Sequence, residues 1–133
     1  MIYSNKQFYI YDESGKVNLQ RVKALLEQSY WAKDRSLSVI DKSIKHSECL
    51  SLYDDDYQIG FARVVTDYST FGYLADVIVM PEYRGKDLGK WLVETVVNDP
   101  RWKNLFLVLA TGDAHDLYQR HGFEQSSKLM GIM

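Results

Sequence analysis

The hydrophobic pattern of this chain switches repeatedly between a period of two and a helical period, and that switching limits what it can fold into. Phe8-Tyr9-Ile10-Tyr11 predicts a short strand, closed by the turn-like run Asp12-Glu13-Ser14-Gly15. Leu19, Val22, Leu25 and Leu26 recur at helical spacing behind a cap candidate, Asn18; Leu37, Ile40 and Ile44 do so behind Ser36. Cys49 to Tyr53 and Gln58 to Val65 flank Asp54-Asp55-Asp56 and predict a hairpin, and Phe71 to Met80 predicts a long strand that Pro81 ends. Leu88, Trp91, Leu92, Val96 and Val97 predict a helix stopping before Pro100. The continuous apolar run Leu105 to Ala110 predicts a strand buried on both faces. Asp113, with Asp116 three residues on, predicts a capped last helix whose stripe is Ala114, Leu117, Tyr118 and His121 and whose end is Gly122. With a closing strand the order is β α α β β β α β α β. Hairpin-joined strands followed by strand–helix–strand units predict an α/β fold with a mixed sheet and helices on its faces.

Composition narrows the function classes. The 133 residues, 46 % of them apolar and 14 % aromatic, suit a single domain over 1–133 with a substantial core. Sixteen Lys and Arg against eighteen Asp and Glu give a formal charge of −2, a poor balance for neutralising a phosphate backbone, so no nucleic-acid partner is expected. A single cysteine, Cys49, makes no internal disulfide or multi-thiolate metal site, and reads as a buried strand residue. His115 and His121 are not spaced as a same-face pair, so no metal is expected. No basic stretch followed by an apolar run opens the chain, and no apolar run reaches the roughly 18–20 residues of a spanning helix, so a cytoplasmic address without membrane attachment is expected.

The most informative segment is Val79-Met80-Pro81-Glu82-Tyr83-Arg84-Gly85-Lys86-Asp87-Leu88-Gly89-Lys90. A strand ends, a basic, glycine-bearing turn follows, and a helix begins. Unpaired amides at such a helix start, with its positive dipole end, suit a phosphate group, and Arg84, Lys86 and Lys90 add charge. The spacing is neither that of a P-loop nor that of a dinucleotide fingerprint. It resembles motif A of the GCN5-related N-acetyltransferases (GNAT family), Q/R-x-x-G-x-G/A, with Arg84 and Gly89 in register. Leu117-Tyr118-Gln119-Arg120-His121-Gly122-Phe123 resembles the same family's Leu-Tyr-x-x-x-Gly-Phe signature, and Gln58-Ile59-Gly60-Phe61-Ala62-Arg63 its usual third strand. The order of elements agrees as well, so the resemblance covers essentially the whole chain.

The resemblance implies a GNAT-like fold and direct transfer of an acetyl group from acetyl-CoA, the co-substrate, to a primary amine of a small molecule or peptide. It implies a cofactor site between the strand ending at Met80 and the strand Leu105–Ala110, where the two splay at a bulge. The residues carried over are the backbone of Val77, Ile78 and Val79, then Arg84, Gly85, Lys86, Asp87, Leu88, Gly89 and Lys90, with Thr111 at the end of the next strand. Tyr118 matches the tyrosine that protonates the leaving thiolate; read without the family it is a core aromatic on the last helix's stripe. Asp76 interrupts an apolar strand and needs a partner: it is either the base that accepts the ammonium proton or half of a structural pair with Lys, Arg or backbone amides. Trp31 and its neighbour Tyr30 are wall aromatics of an acceptor site or core. Asp67, Asp76, Trp31, Tyr68 and Phe71 could together offer a cationic acceptor a negative, aromatic pocket.

Two features depart from the family pattern. Asp87 stands where motif A has glycine, and its carboxylate is expected to cap the helix through the amides that phosphates would use. Only ten residues follow Phe123, so the last sheet edge is expected to be short or completed by a partner subunit, as in a homodimer. The competing function is a non-catalytic acyl-CoA-binding regulatory module of the same fold, which Asp87 favours; an unrelated α/β interaction domain is the third.

Overall fold

The computed structural model describes residues 1–132. Its centre is the antiparallel run β3 (Glu48–Asp54), β4 (Tyr57–Thr66) and β5 (Phe71–Val79), preceded by a hairpin, β1 (Ile2–Asn5) and β2 (Phe8–Tyr11). β6 (Phe106–Val108) joins the other side, giving one six-stranded sheet in the order β1-β2-β3-β4-β5-β6, antiparallel except for the β5–β6 pair. Two helices, α1 (Leu19–Leu26) and α2 (Leu37–Lys45), lie between β2 and β3; α3 (Leu88–Val97) connects β5 to β6, and α4 (His115–Gln119) follows. The expected mixed sheet flanked by helices is the observed one.

Each face of the sheet has its own core. Val22, Leu25 and Leu26 of α1 and Ile40 of α2 pack on Cys49, Phe61 and Ile78. Leu88, Leu92 and Val96 of α3, with Trp102, pack on Leu50, Leu52, Ile59, Ala62, Val64 and Leu74. Covered on both sides, β3 and β4 are buried through their middles, residues 49–52 and 58–62, as strands packed on both faces are. The two expected caps form: Asn18 accepts from the Arg21 amide at 3.1 Å and Ser36 from the Val39 amide at 3.3 Å. Among the described residues no helix is long and apolar enough to cross a membrane.

Four local expectations are corrected. β1 was not anticipated; its residues are mostly exposed, so it carries no apolar alternation to read. The strand expected over Leu105–Ala110 is paired only at Phe106–Val108, and as the edge strand it is exposed or half-buried rather than buried on both faces. α4 is not capped by Asp113: its N-cap is Ala114, and the Thr111 hydroxyl accepts the Ala114 amide at 3.0 Å. No strand follows α4 among the described residues, because the polar run Glu124–Lys128 has no alternating face. Gly122 does end the helix, with φ +97° and the Phe123 amide returning to the Tyr118 carbonyl.

Candidate functional site

β5 is hydrogen-bonded to β6 only through the pairs Phe71–Phe106, Gly72–Leu107 and Tyr73–Val108. Beyond Tyr73 the two parallel strands part. A bulge sits just there: Arg63 pairs with Ala75 but Phe61 with Ile78, so β5 carries an extra residue opposite β4. Asp76 occupies it with a left-handed φ of +57°, a conformation that aspartate tolerates better than most residues. The parting opens a cleft of about 1140 Å³ whose walls are the second half of β5, the α1–α2 loop, the turn into α3, and the segment from Leu109 to α4.

The turn into α3 offers unpaired donors at one end of this cleft. α3 starts with no side-chain cap, leaving the first-turn amides unbonded by protein. The Asp87 carboxylate therefore does not cap the helix as expected. Asp87 instead supplies the left-handed residue (φ +61°, ψ +18°) that turns the chain into the helix, a backbone role that glycine fills without strain. Gly85 is left-handed too, with φ +83°. A Cβ on Gly89 would meet nothing closer than Val79 Cγ2 at 3.9 Å, so the protein itself does not demand glycine there. Val77, Ile78, Val79, Arg84, Gly85, Asp87, Leu88, Gly89, Lys90, Thr111 and Tyr118 all line the cleft; Lys86 lies on the same turn but not on the lining.

At the middle of the cleft Asp76 is surrounded by donors. Its Oδ2 accepts from Arg35 Nη1 at 2.9 Å and Arg63 Nε at 3.0 Å, and its Oδ1 from Trp31 Nε1 at 2.9 Å. Arg63 also donates to the Ser47 hydroxyl at 3.0 Å. Of the two readings of Asp76, this arrangement is the ion-paired one, and Trp31 is a wall aromatic tied to it. Tyr30 packs edge-on against Trp31, and its hydroxyl accepts the Gly112 amide at 3.0 Å, bridging the cleft from the α1–α2 loop to the segment before α4. A Cβ at Gly112 would sit 3.0 Å from that hydroxyl, so a side chain there would push the Tyr30 tip aside. Tyr118 stands on the α4 side, edge-on to Phe123; burial, then the nearby Asp113 and Tyr30, push its phenol up to about 12, so it is protonated at neutral pH.

Three expected acceptor residues are not in the cleft. Asp67 and Tyr68 belong to the β4–β5 turn and Phe71 opens β5, at the end of that strand away from the cleft. Asp67 binds its own turn: the Thr70 hydroxyl and the amides of Thr70, Ser69 and Phe71 donate to it and hold its carboxyl well below the usual range. The negative, aromatic acceptor pocket is thereby corrected, since its remaining carboxylate, Asp76, is outnumbered by two guanidinium groups. Arg35 and Arg63 are the residues that sequence reasoning missed. Part of the signal for Arg63 lay in Asp76, because a carboxylate inside an apolar strand needs a cation or hydrogen-bond donors from its surroundings. Among the described residues no group of three or more His, Cys, Asp or Glu could hold a metal ion.

Known proteins share this fold. The acetyltransferase (GNAT) domain model matches residues 45–125. A protein of Xanthomonas campestris pv. campestris assigned to the GNAT acetyltransferases superposes with a TM-score of 0.89 at 37 % identity, covering 95 % of this chain and 92 % of that one. GCN5-related N-acetyltransferase 2, chloroplastic, of Arabidopsis thaliana is 33 % identical over 113 residues, which span 80 % of this chain and 43 % of that protein. A GNAT family acetyltransferase of Elizabethkingia anophelis, solved with acetyl-CoA bound, has the same fold at 19 % identity, with a TM-score of 0.71 over 92 % of this chain and 80 % of that one.

Proposed function

Because this chain belongs to the GNAT family of acetyltransferases and is an acyltransferase, we propose that it transfers an acetyl group directly from acetyl-CoA to a primary amine. The observation that carries this reading is the continuity of the cleft: the β5–β6 parting runs onto the uncapped amides of α3. The residues fit the co-substrate. Amides at a helix start, with Arg84 and Lys90 on the same lining and Lys86 beside it, suit a diphosphate. From Leu74 to Val79 β5 has no β6 partner, which leaves main-chain groups of that edge for an extended amide-bearing arm. Acetyl-CoA, when bound, supplies the activated acetyl thioester.

Tyr118 is the proton donor in this proposal. It holds its proton at Oη across the physiological range and lines the same cleft, so it can hand that proton to a departing sulfur. Asp76 is a positioning residue rather than the base, since both its oxygens are already engaged. Thr111 holds the turn before α4 from inside the lining. The competing reading is a non-catalytic acyl-CoA-binding module; Asp87 lent it weight, and the cap that residue was expected to make on α3 does not form.

Thermal unfolding with acetyl-CoA, CoA or ATP tests the reading. Ligand at 100 times its Kd adds about 2.7 kcal/mol, a rise of several degrees for a chain of this size. The rise is expected with acetyl-CoA and CoA and not with ATP; no rise with any of them would sink the proposal. Tyr118→Phe is expected to lower kcat by about 100-fold while keeping the acetyl-CoA shift. An unchanged kcat would remove Tyr118 from the mechanism.

A further inference from the structure

The charge inside the cleft is unbalanced around Asp76. Two guanidinium groups meet one carboxylate, whose side chain is only 3 % exposed, against 12 % for Arg63 and 25 % for Arg35. Asp76 already accepts three hydrogen bonds, one of them from the Trp31 indole, so it can take at most one more of the arginines' N–H groups. Arg35 gives it Nη1 alone, and Arg63 gives it Nε while spending Nη1 on Ser47. Each guanidinium carries five N–H donors, so both retain unspent donors at the cleft wall. A partly desolvated net positive charge with free donors is unfavourable until an anion arrives, and a planar fork of donors matches an oxyanion best. A cationic acceptor would meet like charge at the same place.

We propose that Arg35 and Arg63 form an anion subsite, and that the acceptor is a small primary amine bearing a carboxylate or phosphate group. Trp31 fixes the subsite by holding Asp76, and through it both arginines. This inference rests on the acyltransferase reading, which gives the cleft an amine to receive. The other carboxylates on the lining, Asp87 and Asp113, sit at the starts of α3 and α4 and make no bond to either arginine.

The test is an acetylation panel of matched amines with the full chain and acetyl-CoA. Glycine, β-alanine and γ-aminobutyrate are set against their carboxamides, O-phosphoethanolamine against ethanolamine, and putrescine represents the dications. At least one anionic amine is expected to exceed its uncharged partner tenfold or more in kcat/KM; the carboxylate and phosphate arms tell which oxyanion the subsite takes. Arg35→Gln is expected to abolish that preference, mainly through KM, while its acetyl-CoA thermal shift stays as in the parent. If the variant does not fold, the parent's preference decides alone. Preference for uncharged or dicationic amines, or an equal loss on every amine in Arg35→Gln, overturns the subsite. So does acetyl-CoA stabilisation with no panel member acetylated, a result that leaves the acetyl-CoA reading standing. Absence of any acetyl-CoA shift fails that reading itself, and the subsite with it.

Discussion

Two arginine clusters in this molecule have opposite stoichiometry. Arg101 is one cation among three carboxylates: its Nε and Nη2 reach both oxygens of Asp99 at 3.0 and 2.8 Å, its Nη1 reaches Glu48, and Asp12 lies 3.9 Å away. The hydrogen bonds to Asp99, outweighing desolvation, hold this guanidinium even more firmly charged than usual. The group lies 4.5 Å over the Trp102 ring and ties the end of α3 to the starts of β3 and of the loop after β2. It does not line the cleft. Around Asp76 the ratio is reversed, both carboxylate oxygens are engaged, and the unspent donors face a cavity. A cation that gives each of its three nitrogens to a carboxylate is a fastener. Two cations sharing one carboxylate at a cleft wall have capacity left for a ligand.

The largest expected effect is at Asp76. Asp76→Asn leaves two guanidinium groups partly buried without a counter-charge, which costs about 3–5 kcal/mol. Denaturant unfolding is expected to show a midpoint lowered accordingly, with an unchanged m value. A loss under about 1 kcal/mol would mean that water already serves both arginines. Next comes Arg101→Gln, which strands Asp99, 2 % exposed, with only the Arg101 main-chain amide as donor. Loss of a charged hydrogen-bonding partner there is expected to cost roughly 2–3 kcal/mol, measured the same way. Equal costs at the two sites would erase the distinction between them.

The two clusters were unequally legible in the sequence, for a physical reason. Asp76 announces itself, since a charge inside Leu74-Ala75-Asp76-Val77-Ile78-Val79 cannot be buried alone. Its partners come from the α1–α2 loop and from a neighbouring strand, and no local period encodes that meeting. The central strands, the caps Asn18 and Ser36 and the Gly122 stop were readable because each depends on residues within one turn or one alternation. β6 misled because a continuous apolar run is the same in a central strand and in an edge strand; only the pairing on its far side differs. Asp87 misled for a different reason. Side-chain capping and a left-handed backbone are both aspartate habits at a helix start, and only the dihedral angles separate them. Asp87→Gly is accordingly expected to stabilise the chain by about 0.5–1 kcal/mol, seen as a small rise in Tm, because glycine adopts that angle freely. A fall in Tm would show that its carboxylate has a partner after all.

The smallest expected effect separates the clusters most sharply. Arg35→Gln removes one of two cations around Asp76 and leaves a neutral pair, Arg63 with Asp76, still joined at 3.0 Å and still supported by Trp31. The variant loses one charged hydrogen bond but also relieves repulsion between two guanidinium groups, so the terms offset. A stability change under about 1 kcal/mol is expected, well below that of Arg101→Gln, although both replace an ion-paired arginine by glutamine. The matching pH experiment uses Tyr118, whose phenol burial pushes up to about 12 from 10.0. A raised folded-state value stabilises the chain below pH 10 and is lost as pH rises from 10 towards 12, where the unfolded chain ionises first. Arg35→Gln leaves that alkaline limb in place, whereas Tyr118→Phe makes it shallower by the Tyr118 share, the buried Cys49 thiol and other raised phenols keeping theirs. A large loss of stability in Arg35→Gln would make its guanidinium a fastener like Arg101, and the cleft would then owe its charge to architecture rather than to an acceptor.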